Sequence, residues 1–155
     1  MSSVEHTKTI NASPSEAWEV LAEFGALSSW VPMIQHSCLL SQQDQGVGTV
    51  RRVQIAQQTL VERVDMWEPT STLAYTIEGL PPIVGTPRNT WRLIPTESGT
   101  DVRLTTEIDT GANPIKKAIA KKVLERMSTA SEFMLAGLDT ATSTADTNAD
   151  EEVAS

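Results

Sequence analysis

The sequence is poor in the features that mark secreted, membrane-spanning and disulfide-stabilised proteins. It has a single cysteine, Cys38, which cannot form a disulfide within the chain. No apolar run approaches the roughly 18 residues of a membrane-spanning helix. The N-terminal MSSVEHTKTI lacks the basic start and the apolar stretch of a signal peptide. These absences predict a cytoplasmic protein, and 155 residues suffice for one domain with a substantial core.

Basic residues are also scarce. The chain has 12 lysines and arginines against 20 aspartates and glutamates, which gives a net charge of −8. Five of the acids and none of the bases fall in residues 139–155, which we expect to be a disordered acidic tail behind a single domain of residues 1–138. The rest of the chain is nearly balanced, and it lacks the basic surface that binds nucleic acid.

Motifs for metals, nucleotides and covalent hydrolase chemistry are missing as well. Gly46 and Gly48 precede a predicted strand, whereas a phosphate-binding loop precedes a helix. His6, His36 and Cys38 do not have the spacing of a zinc site. No nucleophile elbow or ordered set of Ser, His and Asp is present. We therefore expect no metal ion and no cofactor.

Capping residues and periodicity define the order of the predicted elements. VEHTKTI alternates as a strand, and Ser13, Pro14 and Glu16 then provide the cap, the first-turn proline and the capping box of a helix. FGALSSW predicts a second, shorter helix. Residues 36–109 are a succession of short strands separated by turn residues.

Residues 114–138 predict one long amphipathic helix, with Asn113 and Pro114 at its start and Gly137 at its C-terminal cap. An apolar stripe recurs every three to four residues, and its members are Ile115, Ile119, Val123, Met127, Ala130, Met134 and Leu138. An antiparallel sheet needs a cover for its apolar face, and this helix is the only element long enough. The sequence therefore predicts an α+β fold.

The order and spacing of these segments resemble the START-like, or SRPBCC, superfamily with the helix-grip fold, in particular its polyketide cyclase/dehydrase-like branch. The segments that carry the resemblance are INASPSEAWEVLAEFGALSSWVPMI, GVGTVRR, LVERVDMWEP, LAYTIEG and RNTWRLIPTESGTDVRLTTEID. The resemblance implies a curved antiparallel seven-stranded sheet wrapped around the long C-terminal helix, with two short helices between strands 1 and 2. It also implies a cavity between sheet and helix for lipids, sterols, polyketides or plant hormones.

One strand carries a carboxylate in the middle of its apolar face. In TLVERVDMW, Glu62 shares a face with Leu60, Val64 and Met66. Burying a charge there is costly unless it is paired. In the preceding strand Arg51 also falls on the apolar face, so a hairpin would bring the two charges together inside the fold. They form either a buried structural pair or part of a ligand site.

The resemblance implies the other site residues. Its abscisic-acid-receptor members have cavity-lining Arg and Glu at the positions of Arg51 and Glu62, and a hormone-binding Lys at the position of His36. Glu62, Arg51 and His36 are thus the candidate catalytic residues. The expected ligand contacts are Trp30, Met33, His36, Arg51, Glu62, Tyr75, Asn89, Trp91, Ile119, Val123 and Met127, and the expected gate loop contains Gly79, Leu80, Pro81 and Gly85.

Two positions depart from the pattern of cyclase-like relatives. Val31 stands where many members have His, and Pro87 stands where members often have Tyr. Both differences remove polar groups that could take part in chemistry.

Three functions remain open at this level. The first is a binding or carrier protein for a small hydrophobic molecule such as a lipid, a polyketide or an aromatic compound. The second is a polyketide cyclase or dehydratase in which Glu62 or His36 moves a proton and Arg51 stabilises an enolate. The third is a protein-interaction module with a collapsed pocket, which would use the basic face of the last helix. We expect the protein to be a monomer or a homodimer in each case.

The last predicted helix carries a basic face, made of Lys116, Lys117, Lys121, Lys122 and Arg126. It is either an ordinary solvated face or a docking surface for an acidic partner or an anionic membrane.

Overall fold

A computed structural model describes the backbone of residues 1–154 and the side chains of residues 1–143. Its strands are β1 (Ser2–Ile10), β2 (His36–Leu39), β3 (Val50–Ile55), β4 (Gln58–Glu68), β5 (Thr72–Glu78), β6 (Arg88–Pro95) and β7 (Thr100–Ile108). Helix α1 (Pro14–Ala22) and a 3₁₀ helix (Phe24–Ser29) lie between β1 and β2, and helix α2 (Pro114–Ala154) follows β7. The predicted order of elements is confirmed.

The strands form one antiparallel sheet in the order β1-β7-β6-β5-β4-β3-β2. Strands β1 and β2 are neighbours in sequence but lie at opposite edges, because α1 and the 3₁₀ helix carry the chain from one edge to the other. Helix α2 packs against β1 and β7 and covers the inner face of the sheet. This is the helix-grip architecture that the sequence predicted.

Helix α1 is stabilised by a cap at its N-terminus and by side chains that it buries in the core. Ser13 caps it as predicted, since its hydroxyl accepts a hydrogen bond from the backbone N–H of Glu16 at 3.2 Å. Ala17, Trp18 and Leu21 are buried against the core. The helix therefore holds the chain that crosses over to the far edge of the sheet.

Strand β4 departs from the simple alternation expected of it. Its register against β5 shifts between Val64 and Met66, which leaves Asp65 as the extra residue of a β-bulge. The bulge reverses the faces beyond it, so Met66 is exposed, while the ring of Trp67 packs edge-on against Trp18 with 5.2 Å between centroids. The prediction that Met66 shares the inner apolar face is wrong.

Helix α2 begins as predicted but buries a different set of side chains near its start. The Asn113 carboxamide oxygen accepts hydrogen bonds from the backbone N–H groups of Ile115 and Lys116. Ile115 itself is 65% exposed, because residues 111–118 are exposed on every side. Among the described residues of the helix, the buried side chains are Ala120, Leu124, Ser131, Met134, Leu135, Leu138 and Thr142.

Helix α2 does not end at Gly137. Thr142 is buried in its continuation, and its hydroxyl donates to the carbonyl oxygen of Leu138 at 2.9 Å. Gly137 serves packing, because a Cβ atom there would overlap the backbone carbonyl oxygen of Trp30. The predicted disordered tail stays a prediction, because the side chains of residues 144–155 lie outside the described part of the chain.

The main core lies between the inner face of the sheet, α1, the 3₁₀ helix and the later turns of α2. Its largest fully buried side chains include Trp91, Tyr75, Phe24, Leu73 and Leu104. Within the described residues, no helix combines the length and the apolar character that spanning a membrane requires.

Candidate ligand-binding site

A cavity of about 440 Å³ lies between the inner face of the sheet and helix α2. Fourteen of the nineteen described residues that line it are apolar. The polar ones are Gln58, Glu62, Asn89, Arg126 and Ser131. Small-molecule sites typically have volumes of roughly 300–1,000 Å³ and mostly apolar walls. The cavity therefore suits a small molecule that is mainly apolar and carries few polar groups.

Two small residues of α2, Ala130 and Ser131, contribute to the cavity wall. They line it together with Val53 of β3 and Leu60 of β4. A larger side chain at position 130 would occupy this space. Methionines surround the same region; Met33, Met127 and Met134 all line the cavity. Their flexible, polarisable side chains adapt to irregular shapes.

Arg51 and Glu62 meet inside the fold as predicted. They are direct partners in the β3–β4 register, and Arg51 Nε donates to Glu62 Oε1 at 2.8 Å. Both residues are buried, with 3% and 6% of their surfaces exposed. Arg51 Nη1 also donates to the carbonyl oxygen of Phe24 at 3.0 Å, and the guanidinium lies 3.8 Å above the centre of the Phe24 ring. The charge of Arg51 is thus well compensated on three sides.

Glu62 is the member of this pair that lines the cavity, whereas Arg51 does not line it. Among the described residues, Oε2 of Glu62 has no hydrogen-bond partner. The Ser131 hydroxyl is likewise without a hydrogen bond to any described residue, although Ser131 is only 1% exposed. The wall therefore offers one acceptor and one hydroxyl to a ligand.

A hydrogen-bonded network behind the cavity wall fixes the carboxamide of Asn89. Thr106 Oγ1 donates to Asn89 Oδ1 at 2.6 Å, and Asn89 Nδ2 donates to the Tyr75 hydroxyl at 3.4 Å. The Tyr75 hydroxyl also accepts from Trp91 Nε1 at 3.2 Å. Burial raises the pKa of Tyr75, and the negative charge of Glu62 raises it further. Tyr75 is therefore a neutral member of the network and cannot serve as a base.

The predicted site residues divide into those that line the cavity and those that support it. Met33, Glu62, Asn89, Val123 and Met127 line it, together with Leu80 and Pro81 of the predicted gate loop. Arg51, Tyr75 and Trp91 are buried directly behind this wall. Gly79 and Gly85 have positive φ angles of 103° and 83°, which favour glycine at both ends of the loop. Opening of this loop stays a prediction.

His36 lies on the outer face of the sheet, contrary to the inward position expected for it. It pairs with Gln54, whereas the inner face of β3 carries Arg51 and Val53. The next residue, Ser37, occupies the inner face instead, and its hydroxyl donates to the carbonyl oxygen of Gly25 at 2.8 Å. Since side chains alternate along a strand, an offset of one residue moves the imidazole to the opposite face.

Two further predicted residues lie outside the cavity wall. Trp30 is half-buried at a separate groove beside α1, where its ring packs edge-on against Trp91 with 6.2 Å between centroids. Ile119 faces a shallow groove on the outside of α2. Neither residue lines the cavity, so the ligand contacts predicted for them stay a prediction.

Sequence patterns contained a signal for some of the lining residues that the prediction omitted. Gln58 precedes Leu60 and Glu62 by steps of two and therefore falls on the same strand face. Ser131 follows Met127 by four residues, which places it on the same helix face. Arg126 was assigned to the basic face of α2, but its side chain also reaches the cavity.

A family model described as polyketide cyclase / dehydrase and lipid transport matches residues 1–142. The chain belongs to this family. The predicted resemblance to the polyketide cyclase/dehydrase-like branch of the SRPBCC superfamily is thereby confirmed. No curated protein sequence matches the chain.

Solved structures of low sequence identity share the fold of this polyketide cyclase family member. The Zhui aromatase/cyclase from Streptomyces sp. R1128 superposes with a TM-score of 0.74 at 23% identity, over 92% of this chain and 93% of that one. The protein XoxI from Bacillus cereus gives 0.73 at 21%, over 92% and 96%. Ara h 8.0201 gives 0.72 at 17%, over 92% and 98%. These similarities establish the architecture of the chain.

Proposed function

We propose that the protein binds a small, mostly apolar molecule in the cavity between the sheet and α2. The observation that supports this most strongly is the combination of an apolar cavity of about 440 Å³ with unpaired polar atoms on two buried residues that line it. These atoms are Glu62 Oε2 and the Ser131 hydroxyl oxygen. A ligand with a hydroxyl group would donate to the carboxylate, and a carbonyl oxygen would accept from Ser131 or Asn89.

The energetic cost of the cavity supports the same conclusion. An empty cavity of about 440 Å³ would cost about 10 kcal/mol at ~24 cal/mol per Å³. Water that enters through the mouth lowers this cost, but it cannot replace the dispersion contacts of the apolar wall. The value is comparable with the whole stability of a typical domain, about 5–15 kcal/mol. A ligand that fills the space regains those contacts.

A cyclase or dehydratase is the second candidate, favoured by the single carboxylate at the cavity wall. In this candidate function Glu62 would accept a proton from a bound molecule, and the positive charge of Arg51 behind it would stabilise the developing negative charge. Few other residues are available for acid–base catalysis in the cavity, however. His36 lies on the outer face, and Tyr75 is held neutral behind the wall. We therefore favour binding as the function.

The test of the proposal is titration with N-phenyl-1-naphthylamine, an uncharged apolar dye that fluoresces when it leaves water. Ala130→Phe would fill the cavity, whereas Thr129→Phe changes the adjacent residue on the outside of the same helix. We expect saturable binding to the wild type, at least a tenfold loss in Ala130→Phe and less than a twofold change in Thr129→Phe. Both variants must retain a cooperative thermal transition for the comparison to hold.

Equal dye affinity in wild type and Ala130→Phe would overturn the proposal, since the dye would then bind elsewhere. Glu62→Gln separates the two candidate functions once a natural ligand has been extracted. A carrier loses affinity for that ligand, whereas an enzyme keeps its affinity and loses turnover.

A further inference from the structure

The charges that line the cavity do not cancel. Glu62 is the only acidic residue in the described wall, and its charge is met by Arg51 at 2.8 Å. Arg126 is the only basic residue in the same wall. It forms no hydrogen bond or ion pair with any described residue. Among the described residues, the cavity wall therefore carries one charge without a partner, and that charge is positive.

The position of Arg126 places this charge at the mouth. The side chain is exposed to solvent, and it lines both the cavity and the shallow groove on the outside of α2. Lys122 lies one helical turn earlier on the same groove and adds charge of the same sign. Glu125 also lies on the outer groove but does not reach the cavity.

The loop after β5 gives Arg126 no partner within the described wall. The loop after β5 contributes Leu80, Pro81 and Val84 to the cavity wall, and all three are apolar. A guanidinium offers a planar set of N–H donors that matches carboxylate, sulfonate and phosphate oxygens in a bidentate geometry. An apolar wall that ends at such a group fits a molecule with an apolar body and an anionic end.

We propose that the ligand is an apolar acid, with its body inside the cavity and its anionic group bound by Arg126 at the mouth. This inference rests on the proposed binding function and specifies the class of molecule. The body contacts the apolar walls of β3, β4 and α2. A carboxylate, sulfonate or phosphate at the solvent end stays partly hydrated, so its burial does not carry the full cost of desolvating a charge.

A matched pair of dyes tests the inference. 8-Anilinonaphthalene-1-sulfonate and N-phenyl-1-naphthylamine share the same aromatic body, and only the first carries an anionic group. In Arg126→Gln we expect sulfonate affinity to fall about tenfold, equivalent to about 1.4 kcal/mol, while affinity for the uncharged dye changes less than twofold. The loss should shrink as ionic strength rises, because the ion pair is near solvent.

Two matched variants serve as controls. Lys122→Gln removes a basic side chain from the outer groove without touching the cavity wall, and we expect it to change sulfonate affinity less than threefold. Ala130→Phe should abolish binding of both dyes, which places the sulfonate dye in the cavity.

The outcomes separate failure of this inference from failure of the proposed function. If wild type binds neither dye, the proposed function fails. If Arg126→Gln weakens both dyes equally, or weakens neither, the cavity binds a ligand but Arg126 does not recognise an anion. If sulfonate affinity is unchanged while Arg126→Gln and Lys122→Gln equally reduce binding to phosphatidylglycerol vesicles, the basic face is a membrane-docking surface and the inference is overturned.

Discussion

Replacing Arg51 by methionine removes one partner of the buried ion pair and leaves the other in place. Glu62 would then be a carboxylate only 6% exposed, without its hydrogen bond of 2.8 Å from Arg51 Nε. The carbonyl oxygen of Phe24 would lose the bond that it accepts from Arg51 Nη1 at 3.0 Å. Methionine fills most of the space that the arginine stem occupied, so the variant tests electrostatics more than packing.

The expected destabilisation is large. Removing one partner of a buried ion pair costs about 3–5 kcal/mol. We expect about 4 kcal/mol for Arg51→Met and a similar value for Glu62→Leu, which leaves the buried guanidinium unpaired. For a chain of this length each kcal/mol lowers the melting temperature by roughly 2–4 °C, so about 4 kcal/mol corresponds to a drop of roughly 8–16 °C.

The double variant Arg51→Met/Glu62→Leu tests the ion pair more specifically than either single variant. Exchanging a buried ion pair for apolar groups of similar volume is often neutral or stabilising. The unpaired Phe24 carbonyl still costs about 1–3 kcal/mol. We therefore expect the double variant to lose only about 1–3 kcal/mol, which is less than either single variant. The assay is urea unfolding followed by tryptophan fluorescence.

The matched control is Arg52→Met, on the outer face of the same strand, which should change the free energy of unfolding by less than about 0.5 kcal/mol. Two results would contradict a strong buried ion pair. In one, each single variant costs under about 1 kcal/mol; in the other, the two single costs simply add in the double variant. The pair would then be hydrated and energetically unimportant.

Two further predictions concern the network behind the cavity and the packing of α2. Burial, followed by the charge of Glu62, raises the pKa of Tyr75 above 10.0, so absorbance near 295 nm should report ionisation of this single tyrosine at higher pH in the folded protein than in urea. Because the pKa of Tyr75 is higher in the folded state, the protonated phenol contributes stability that is complete below pH 10 and is lost as pH rises through the folded-state pKa. Equal ionisation midpoints in the folded and the urea-unfolded protein would contradict the raised pKa. Gly137→Ala should lower the free energy of unfolding by about 1–3 kcal/mol, because the new Cβ would overlap the Trp30 carbonyl. Thermal melting compares it with Ala136→Ser, a control at an exposed position. An unchanged melting temperature in Gly137→Ala would contradict the close approach of the two backbones.

Local alternation was enough to predict that Arg51 and Glu62 meet inside the fold. Arg51 and Glu62 fall on the apolar faces of consecutive strands, and a charge on such a face requires a partner. The structure joins them as direct partners across the β3–β4 hairpin. The overall architecture followed from the order of the elements and from family resemblance.

Alternation failed where one residue changes the register. Asp65 is an extra residue in β4, and its carboxylate is held on the outer face by Arg88 Nη2 at 2.9 Å. That partner lies 23 residues further along the chain, so nothing within β4 itself indicates the bulge. His36 shows the same sensitivity, since in the short edge strand β2 an offset of one residue decides which side chain faces inward.

Helical periodicity identified α2 but not the extent of its buried face. Ile115 and Ile119 continue the apolar spacing of the helix, yet the first turn is exposed on every side and Ile119 faces an outer groove. Arg126 has the sequence context of a solvated lysine-rich face and still reaches the cavity. Which side chains of a helix line a cavity depends on where the sheet lies, and that is a long-range property.

The most direct test of ligand binding is native mass spectrometry of the protein purified from its own host, with Ala130→Phe prepared in parallel. We predict that wild type carries a defined molecule that is released on denaturation and proves to be an apolar acid. Ala130→Phe should have the mass of the bare chain. A bare chain mass for wild type, together with no shift of its melting temperature across a panel of lipids, polyketides and aromatic acids, would contradict it.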